Sequence, residues 1–353
     1  MKSIKRILST TLIASAVMTA SVNINAADKE WRMATPWSGG PWLERDAQGF
    51  ADHVNSMSDG GFEIKVFPGG TLGSALKVTE TVKSGVAQIS QNYINYDYGV
   101  DPTAALLAGH SSGLTPEEFM LWIYQGGGLE LYEQFRLEKS KVVALPCSVL
   151  GTEIFLHSNK KVQTFEDFQG LRLRTSGAWA EIASRLGAST VVMAGSEIYS
   201  ALERGVIDAA EWGSPELNKP TGFQEVAKYV MVPGIHQSGG VLECQVNKRE
   251  WDKLSEKEQN VLRNAAKLSV FDSWLASSYA DLAAYEELKS GKNEIVKLDP
   301  SFITKVLEET TAWEDENAAK NPWFAKVLNS QRAFKAEMTN WSEYRLTIGE
   351  SEL

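Results

Sequence analysis

The sequence predicts an α/β protein of two lobes, each a sheet covered by helices. Three observations lead there. Strand-like and helix-like segments alternate along much of the chain, one helix–glycine–strand corner occurs twice, and the chain exceeds what one apolar core usually serves.

Residues 1–26 read as an export signal. Lys2, Lys5 and Arg6 make a basic start, 7–22 is apolar or small, and Ala26 closes the segment. Ile24 is larger than the residue usual two positions before a cut. The apolar run falls short of the ~20 residues a membrane span requires. No cysteine stands near the cut, so a lipid anchor is not expected there. The expected compartment is the periplasm. Of the 353 residues about 327 remain, hence two lobes. Removing three of the 35 basic residues and none of the 45 acidic ones leaves a balance near −13. With no Lys/Arg cluster, that excludes a nucleic-acid partner.

Residues 31–34 alternate as a strand and run into a Pro/Gly loop, 35–41, around Trp37. Leu43, Ala47, Phe50, Ala51, Val54 and Met57 then share one helical face. Gly60 and Gly61 end that helix, 62–66 alternates as a strand, and 68–70 turns into a second helix over 74–84. Gly85 closes it and 86–90 reads as a strand. The stretch 79–88 (TETVKSGVAQ) is echoed at 200–208 (SALERGVID), each a helix end, a glycine cap and a strand start. Each lobe should therefore contain this corner.

Later, Ser255 and Glu258 form a capping box. From there to Leu288 no proline or glycine interrupts apolar residues at helical spacing, and Gly291 stops the run. A helix of that length can brace two lobes. Trp313, Trp323 and Trp341 follow and are expected to pack. Cys147 and Cys244 are too far apart in sequence for a CxxC metal pair. Either they bond across neighbouring strands or both are buried small hydrophobes.

One motif suggests an enzyme. Residues 109–113 (GHSSG) match the nucleophile elbow of secreted serine hydrolases, with Ser111 as nucleophile. The elbow needs a helix directly after the serine, yet Thr115-Pro116 starts one later, and no histidine follows His236. With no clustered metal motif, phosphate loop or dinucleotide fingerprint either, an enzyme and an organic cofactor are both unexpected.

Binding is better marked. In 171–177 (LRLRTSG) apolar and basic residues alternate, placing Arg172 and Arg174 on one strand face. Such a face is either a solvated edge or the wall of an anion cleft, where an arginine fork grips a carboxylate.

The motif GLRLRT at 170–175 resembles the signature of solute receptors of tripartite ATP-independent periplasmic (TRAP) transporters. So do VFPGGTLG at 66–73, ERGVIDAAEW at 203–212 and the long helix after Ser255, in order, over nearly the whole mature chain. The resemblance implies a two-lobed periplasmic-binding-protein-like fold with crossing strands at the hinge. It implies that Arg174 holds a substrate carboxylate, that Trp37 walls the cleft, and that Asn95, Tyr96 and Tyr98 contact solute from the first lobe. Lobe I would be 27–151 with about 240–275, and lobe II 152–239 with about 276–353. AAEW at 209–212 with His236-Gln237 is most similar to the branch binding 2-oxo or 2-hydroxy monocarboxylates through a cation, which makes Gln237 a further binding residue. There the metal would be held by the Glu211 carboxylate, the Trp212 carbonyl and an upstream glutamine. Here Glu153 stands at the glutamine's place. Glu153, Glu211 and a substrate carboxylate against Arg174 favour Ca²⁺ over Na⁺, since a divalent ion neutralises the site. In the rival arrangement Glu153 meets a cationic group on the ligand and no metal binds; a sugar acid, a polyol or a zwitterion is the alternative class of solute. The implied partners are a small organic acid and the transporter's membrane subunits, with the receptor a monomer or homodimer.

Overall fold

The structure is a computed structural model describing residues 29–345; the export signal expected at 1–26 lies outside the described residues. Two sheets organise it. The strands are β1 (Lys29–Ala34), β2 (Phe62–Phe67), β3 (Ile89–Asn92), β4 (Val142–Leu150), β5 (Leu156–Ser158), β6 (Arg172–Arg174), β7 (Ser189–Val191), β8 (Ala209–Ala210), β9 (Tyr229–Val232), β10 (Gly240–Asn247) and β11 (Glu294–Lys297). The first sheet has the order β2-β1-β3-β10-β4 and the second β11-β9-β5-β8-β6-β7.

The repeated corner is a repeat of topology. In the first sheet β1 lies between β2 and β3, parallel to both, with β10 antiparallel beside β3. In the second β6 lies between β7 and β8, parallel to both, with β5 antiparallel beside β8. Gly85 and Gly205 hold the two corners at φ of 81° and 64°, a region that costs other residues strain. In the first sheet the antiparallel strand β10 arrives only after most of the second sheet, whereas β5 opens the second sheet before its parallel strands.

Helices α1 (Gln48–Met57), α2 (Val78–Lys83), α3 (Thr103–Ala108), α4 (Pro116–Gln125) and α5 (Gly128–Ser140) accompany the first sheet. Helices α6 (Phe165–Phe168), α7 (Gly177–Arg185), α8 (Gly195–Glu203), α9 (Pro215–Asn218) and α10 (Phe223–Val226) accompany the second. The chain finishes with α11 (Lys248–Trp251), α12 (Glu256–Ser290), α13 (Pro300–Lys320) and α14 (Pro322–Arg345). One core joins Trp31, Phe50, Val54, Ile64 and Leu262 beneath the first sheet. A larger one runs from Leu106 and Phe119 through Phe155 and Phe168 to Trp313.

Sequence boundaries hold where a local signal exists. Thr115 caps α4 with Pro116 at its first position, and Ser255 and Glu258 form the capping box that starts α12. At 35 residues α12 is about 52 Å long. It packs on β4 and α1 of the first lobe and on α9 of the second. The second helix starts at Val78 rather than at 74, because 74–77 is spent in a turn. The helix expected from Leu43 opens with a π-helical stretch, Trp42–Ala47. α13 packs on α6 and α7, whereas α14 returns to α3, α4 and α5, although 276–353 was expected with the second lobe. Trp313 is buried, but Trp341 is half exposed and stacks only on Tyr344 among the described rings.

Cys147 and Cys244 are bonded, with Cα atoms 5.7 Å apart, so the disulfide is the alternative realised. They face each other because β4 and β10 pair antiparallel with a bulge at this level: Leu242 pairs with Ser148 and Glu243 with Pro146, leaving Cys147 as the extra residue. The bond closes a span of 97 residues that contains most of the second lobe. Replacing both cysteines by serine should cost about 2–4 kcal/mol of stability. Thermal denaturation of the double variant, and of the native protein with and without reductant, checks this; equal midpoints would contradict it.

Candidate functional site

The cleft lies at the carboxyl ends of the parallel strands of both sheets, where open α/β sheets place their ligands. From the first sheet come Trp37, after β1, and Tyr93, Asn95 and Tyr96, after β3. From the second come Arg174, Thr175 and Ser176, ending β6, and Glu211 and Trp212, following β8. Two segments connect the sheets, 151–155 and 233–239. They bring Glu153, and His236 with Gln237. All these residues, with Trp42, Leu150 and Trp179, line one cavity.

Arg174 is 1 % exposed. The register Arg174↔Ala210 and Arg174↔Val191 puts it on the central strand of its parallel trio. Its Nη1 donates to the backbone O and Oε1 of Glu211, each at 3.1 Å, and Nε and Nη2 donate to the Met193 carbonyl at 3.2 and 3.1 Å. The Trp212 ring lies 5.3 Å from the guanidinium, within cation–π range. The fork is thus fixed before any ligand arrives. Arg172, two residues back, is spent on structure. Its guanidinium donates two hydrogen bonds to Asp208 and its backbone N–H a third, which holds that carboxyl well below the usual range, and it reaches the carbonyls of Gly205 and Val206.

Opposite Arg174 stand two acids. Glu153 Oε2 is 2.9 Å from His236 Nε2, and ligand atoms of Glu153, Glu211 and His236 all lie within 4.8 Å of one another. Burial pushes the Glu153 carboxyl up to about 8, partly opposed by Arg174. It raises Glu211 too, with Arg174 opposing and Glu153 adding. Burial pushes the His236 imidazole down to about 4. The cluster is therefore short of positive charge. Two carboxylates within reach of one point, beside an arginine already engaged, fit a hard cation held through oxygen. His236 would either orient Glu153 or ligate beside it.

An aromatic wall closes the other side. Trp37 and Trp42 lie 4.4 Å apart between centroids, and Trp212 stands 6.3 and 5.6 Å from them. Trp37 Nε1 donates to Gln91 Oε1 at 2.8 Å, which fixes the ring. Gln237 is anchored by its amide to the Ala108 and Gly239 carbonyls, and its oxygen accepts from Tyr93 Oη at 3.2 Å. Asn95 donates to the same hydroxyl at 3.3 Å. Burial pushes the Tyr96 phenol up to about 12, so it stays protonated.

The lobes touch across this cavity, so the arrangement is closed. Asn95 packs so tightly on Gly177 that a Cβ there would fall 2.1 Å from its side chain. Arg45 Nη1 meets Glu216 Oε1 at 2.6 Å, and its Nη2 reaches Ser277 of α12 at 2.7 Å. Tyr98, expected among the solute contacts, lies outside the cavity. The turn after 94–97 carries it to the rim, where its hydroxyl donates to Glu181 of α7 and accepts from Trp313 at 3.2 Å. The other expected residues, Trp37, Asn95, Tyr96, Glu153, Arg174, Glu211, Trp212 and Gln237, do meet in it. Sequence reasoning missed Trp42, Tyr93, Trp179 and the involvement of His236. Only His236, beside Gln237, carried a usable signal. Ser111 is buried with no hydrogen-bond partner among the described residues, and His110 is turned instead to Glu314 at 2.8 Å. The serine lacks the base a nucleophile requires.

Fold and site together define a two-lobed receptor that closes on a small charged solute. Residues 33–321 match the DctP family, bacterial extracellular solute-binding protein family 7, and the chain belongs to that family. It is a solute receptor of the TRAP type and not an enzyme. Among the described residues no helix is long and apolar enough to cross a membrane. A monocarboxylate 2-oxoacid-binding periplasmic protein from Nostoc is 28 % identical, covering 96 % of this chain and 95 % of its own. A TRAP receptor from Bordetella bronchiseptica, a mixed-occupancy dimer with copurified calcium and picolinate, matches with a TM-score of 0.86 and 25 % identity over 91 % of this chain and 95 % of its own. A receptor from Pseudoalteromonas atlantica, with bound sodium and pyruvate, matches at 0.85 and 28 % identity over 90 % and 96 %.

The buried acid predicts a pH dependence in metal-free protein. Glu153 titrates near 8 when folded and near 4.3 when unfolded, so the folded state binds the proton more tightly. Its contribution is full below about pH 4.3 and is lost as pH rises through 8. Denaturant unfolding of chelator-treated protein should show stability falling by a few kcal/mol over that window. In Glu153→Gln the fall should shrink; an unchanged slope would refute the assignment.

Proposed function

We propose that this receptor captures a small 2-oxo or 2-hydroxy monocarboxylate in the periplasm, through Arg174 and a bound divalent cation, and delivers it to the membrane subunits of its transporter. The observation that carries the reading is the meeting of Glu153, Glu211 and His236 opposite an arginine whose fork is already oriented. The cation would be held by Glu153, the Glu211 carboxylate and the Trp212 carbonyl. It supplies an electrostatic link between those acids and the oxygens of the solute. The chain's own residues do the rest. Arg174 takes the solute carboxylate, Trp37, Trp42 and Trp212 exclude water, and Tyr93 and Asn95 offer polar contacts from the first lobe.

Size favours a small acid. Four tryptophans, Trp37, Trp42, Trp179 and Trp212, line the closed cavity and narrow it. A six-carbon sugar acid would hold the lobes further apart. Charge favours Ca²⁺: two carboxylates and a solute carboxylate against one arginine leave two negative charges, which Ca²⁺ cancels and Na⁺ halves. The lobes are taken as 27–151 with about 240–275, and 152–239 with about 276–353, except that α14 stays with the first. Solute bridging both halves stabilises the closed state.

Isothermal titration of chelator-stripped protein with pyruvate tests the metal. Affinity should fall at least tenfold and return with Ca²⁺ rather than Na⁺; unchanged affinity after stripping overturns it. Arg174→Ala should lose binding by a hundredfold or more, about 3 kcal/mol, because a buried charge pair is left unmatched. Its melting point without ligand should fall, since Glu211 and the Met193 carbonyl lose their partner, while circular dichroism should still report a folded chain. Micromolar binding retained in that variant would refute the anchor.

A further inference from the structure

Behind the acid cluster, hydrogen bonds link the peptides beside Glu153 and Trp212 to a buried histidine. The Gly213 carbonyl accepts from the Ile154 N–H at 3.0 Å and from Asn218 Nδ2 at 2.9 Å. Ile154 follows Glu153 in the chain, and Gly213 follows Trp212. One oxygen, with both its lone pairs used, therefore ties the connecting segment 151–155 to the end of β8. α9 is a single turn, closed by the Asn218 N–H donating to the Ser214 carbonyl at 3.0 Å, and it lays the Asn218 side chain back over Gly213. α12 packs against this turn.

The amide orientation settles the histidine. Asn218 Nδ2 must face the Gly213 carbonyl, so its 3.2 Å contact with His157 Nε2 is a donation to the ring. Nε2 accepts, and Nδ1 carries the proton. Burial pushes the imidazole down to about 4, which keeps it neutral. Pairing of His157 with Ala210 and Val230 fixes its place on β5, and its ring meets Phe223 edge to face at 5.8 Å. His157 and Asn218 are both buried, yet His157 Nδ1 and Asn218 Oδ1 have no partner among the described residues. An apolar pair would fill the same space without that cost. What the polar pair adds is a fixed N–H for the Gly213 carbonyl. Glycine has the freest backbone of any residue, so a carbonyl ligand directly before one requires support from outside the segment.

We propose that Asn218, oriented by His157, is a positioning residue for the cation site, setting the Trp212 carbonyl through Gly213 and Glu153 through Ile154. This rests on the cation reading given above. Neither Asn218 nor His157 lines the solute cavity, so both act only through the groups that would hold the ion.

Terbium, a hard cation that takes oxygen ligands as calcium does, probes the site directly, because the tryptophans of the cavity sensitise its emission. Emission lifetimes in H2O and D2O count the waters left on the bound ion. In Asn218→Leu the ion should carry about one more water than in the native protein, and Ca²⁺ affinity measured by isothermal titration should fall roughly tenfold or more. His157→Phe keeps the ring packing but offers no acceptor, and should move both readings the same way. His157→Gln can present Oε1 in place of Nε2 and should restore them. A pair that served stability alone would shift melting and leave the hydration of the bound ion unchanged. Native hydration and affinity in both Asn218→Leu and His157→Phe therefore overturn the inference, as does His157→Gln behaving like His157→Phe. A native protein that takes up neither ion gives a different result: it overturns the cation reading itself, and this inference with it.

Discussion

Two carboxylates buried near one arginine set the terms for the whole molecule. Glu153 and Glu211 reach the same point from different elements, one on a connection between sheets and the other at the end of β8. Neither sits easily in that environment as an anion, which is why both titrate high. Such a site is maintained only if something positive completes it. In the reading proposed above, closure would be favoured once a charged solute and its counter-charge enter together, whereas two buried acids beside one arginine carry an electrostatic cost.

The frame around the site is arranged to bear that cost. Arg174 is held by Met193 and Glu211, and its neighbour Arg172 ties the strand to Asp208, so the sheet rather than the ligand sets the position of the guanidinium. The two connecting segments cross at van der Waals contact. A Cβ on Gly234 would fall 1.8 Å from the Glu153 carbonyl oxygen, and only glycine allows that approach. The segment carrying Glu153 and the one carrying His236 and Gln237 thus pass through the hinge as a pair. Away from the crossing, Arg45–Glu216 on one side and Tyr98–Glu181 on the other join the lobes without lining the cavity.

Much of this was legible in the residues. Alternation gave β1 and β2, the Thr115 cap with Pro116 gave the start of α4, the Ser255–Glu258 capping box gave that of α12, and the doubled corner gave the relation between sheets. Each depends on chemistry within a few residues of chain. What could not be read depends on tertiary distance. Cys147 and Cys244 left two alternatives open because a bulge opposite Leu242 decides them. Arg172 and Arg174 share a strand face, and only the position of Asp208 separates their tasks. Tyr98 follows Asn95 and Tyr96 closely in sequence, but the 94–97 turn sends it to α7. His236 gained meaning only beside Glu153, 83 residues away. The helices beyond α12 carry apolar faces that fit either lobe, and α14 took the first.

The interleaving of the strands bears on how the molecule can be made. β10 fills the gap between β3 and β4, yet the chain writes it after almost all of the second sheet. β5 likewise opens the second sheet before any of the parallel strands it will adjoin. Neither lobe is a contiguous stretch that could finish folding while the rest of the chain waited, so the two should gain stability as one cooperative unit. A chain interrupted before residue 240 would leave the first sheet with two unsatisfied edges in its middle, a template for pairing with strands from other molecules. The same threading that lets two lobes share a hinge therefore makes late completion of the chain the vulnerable moment in the protein's life.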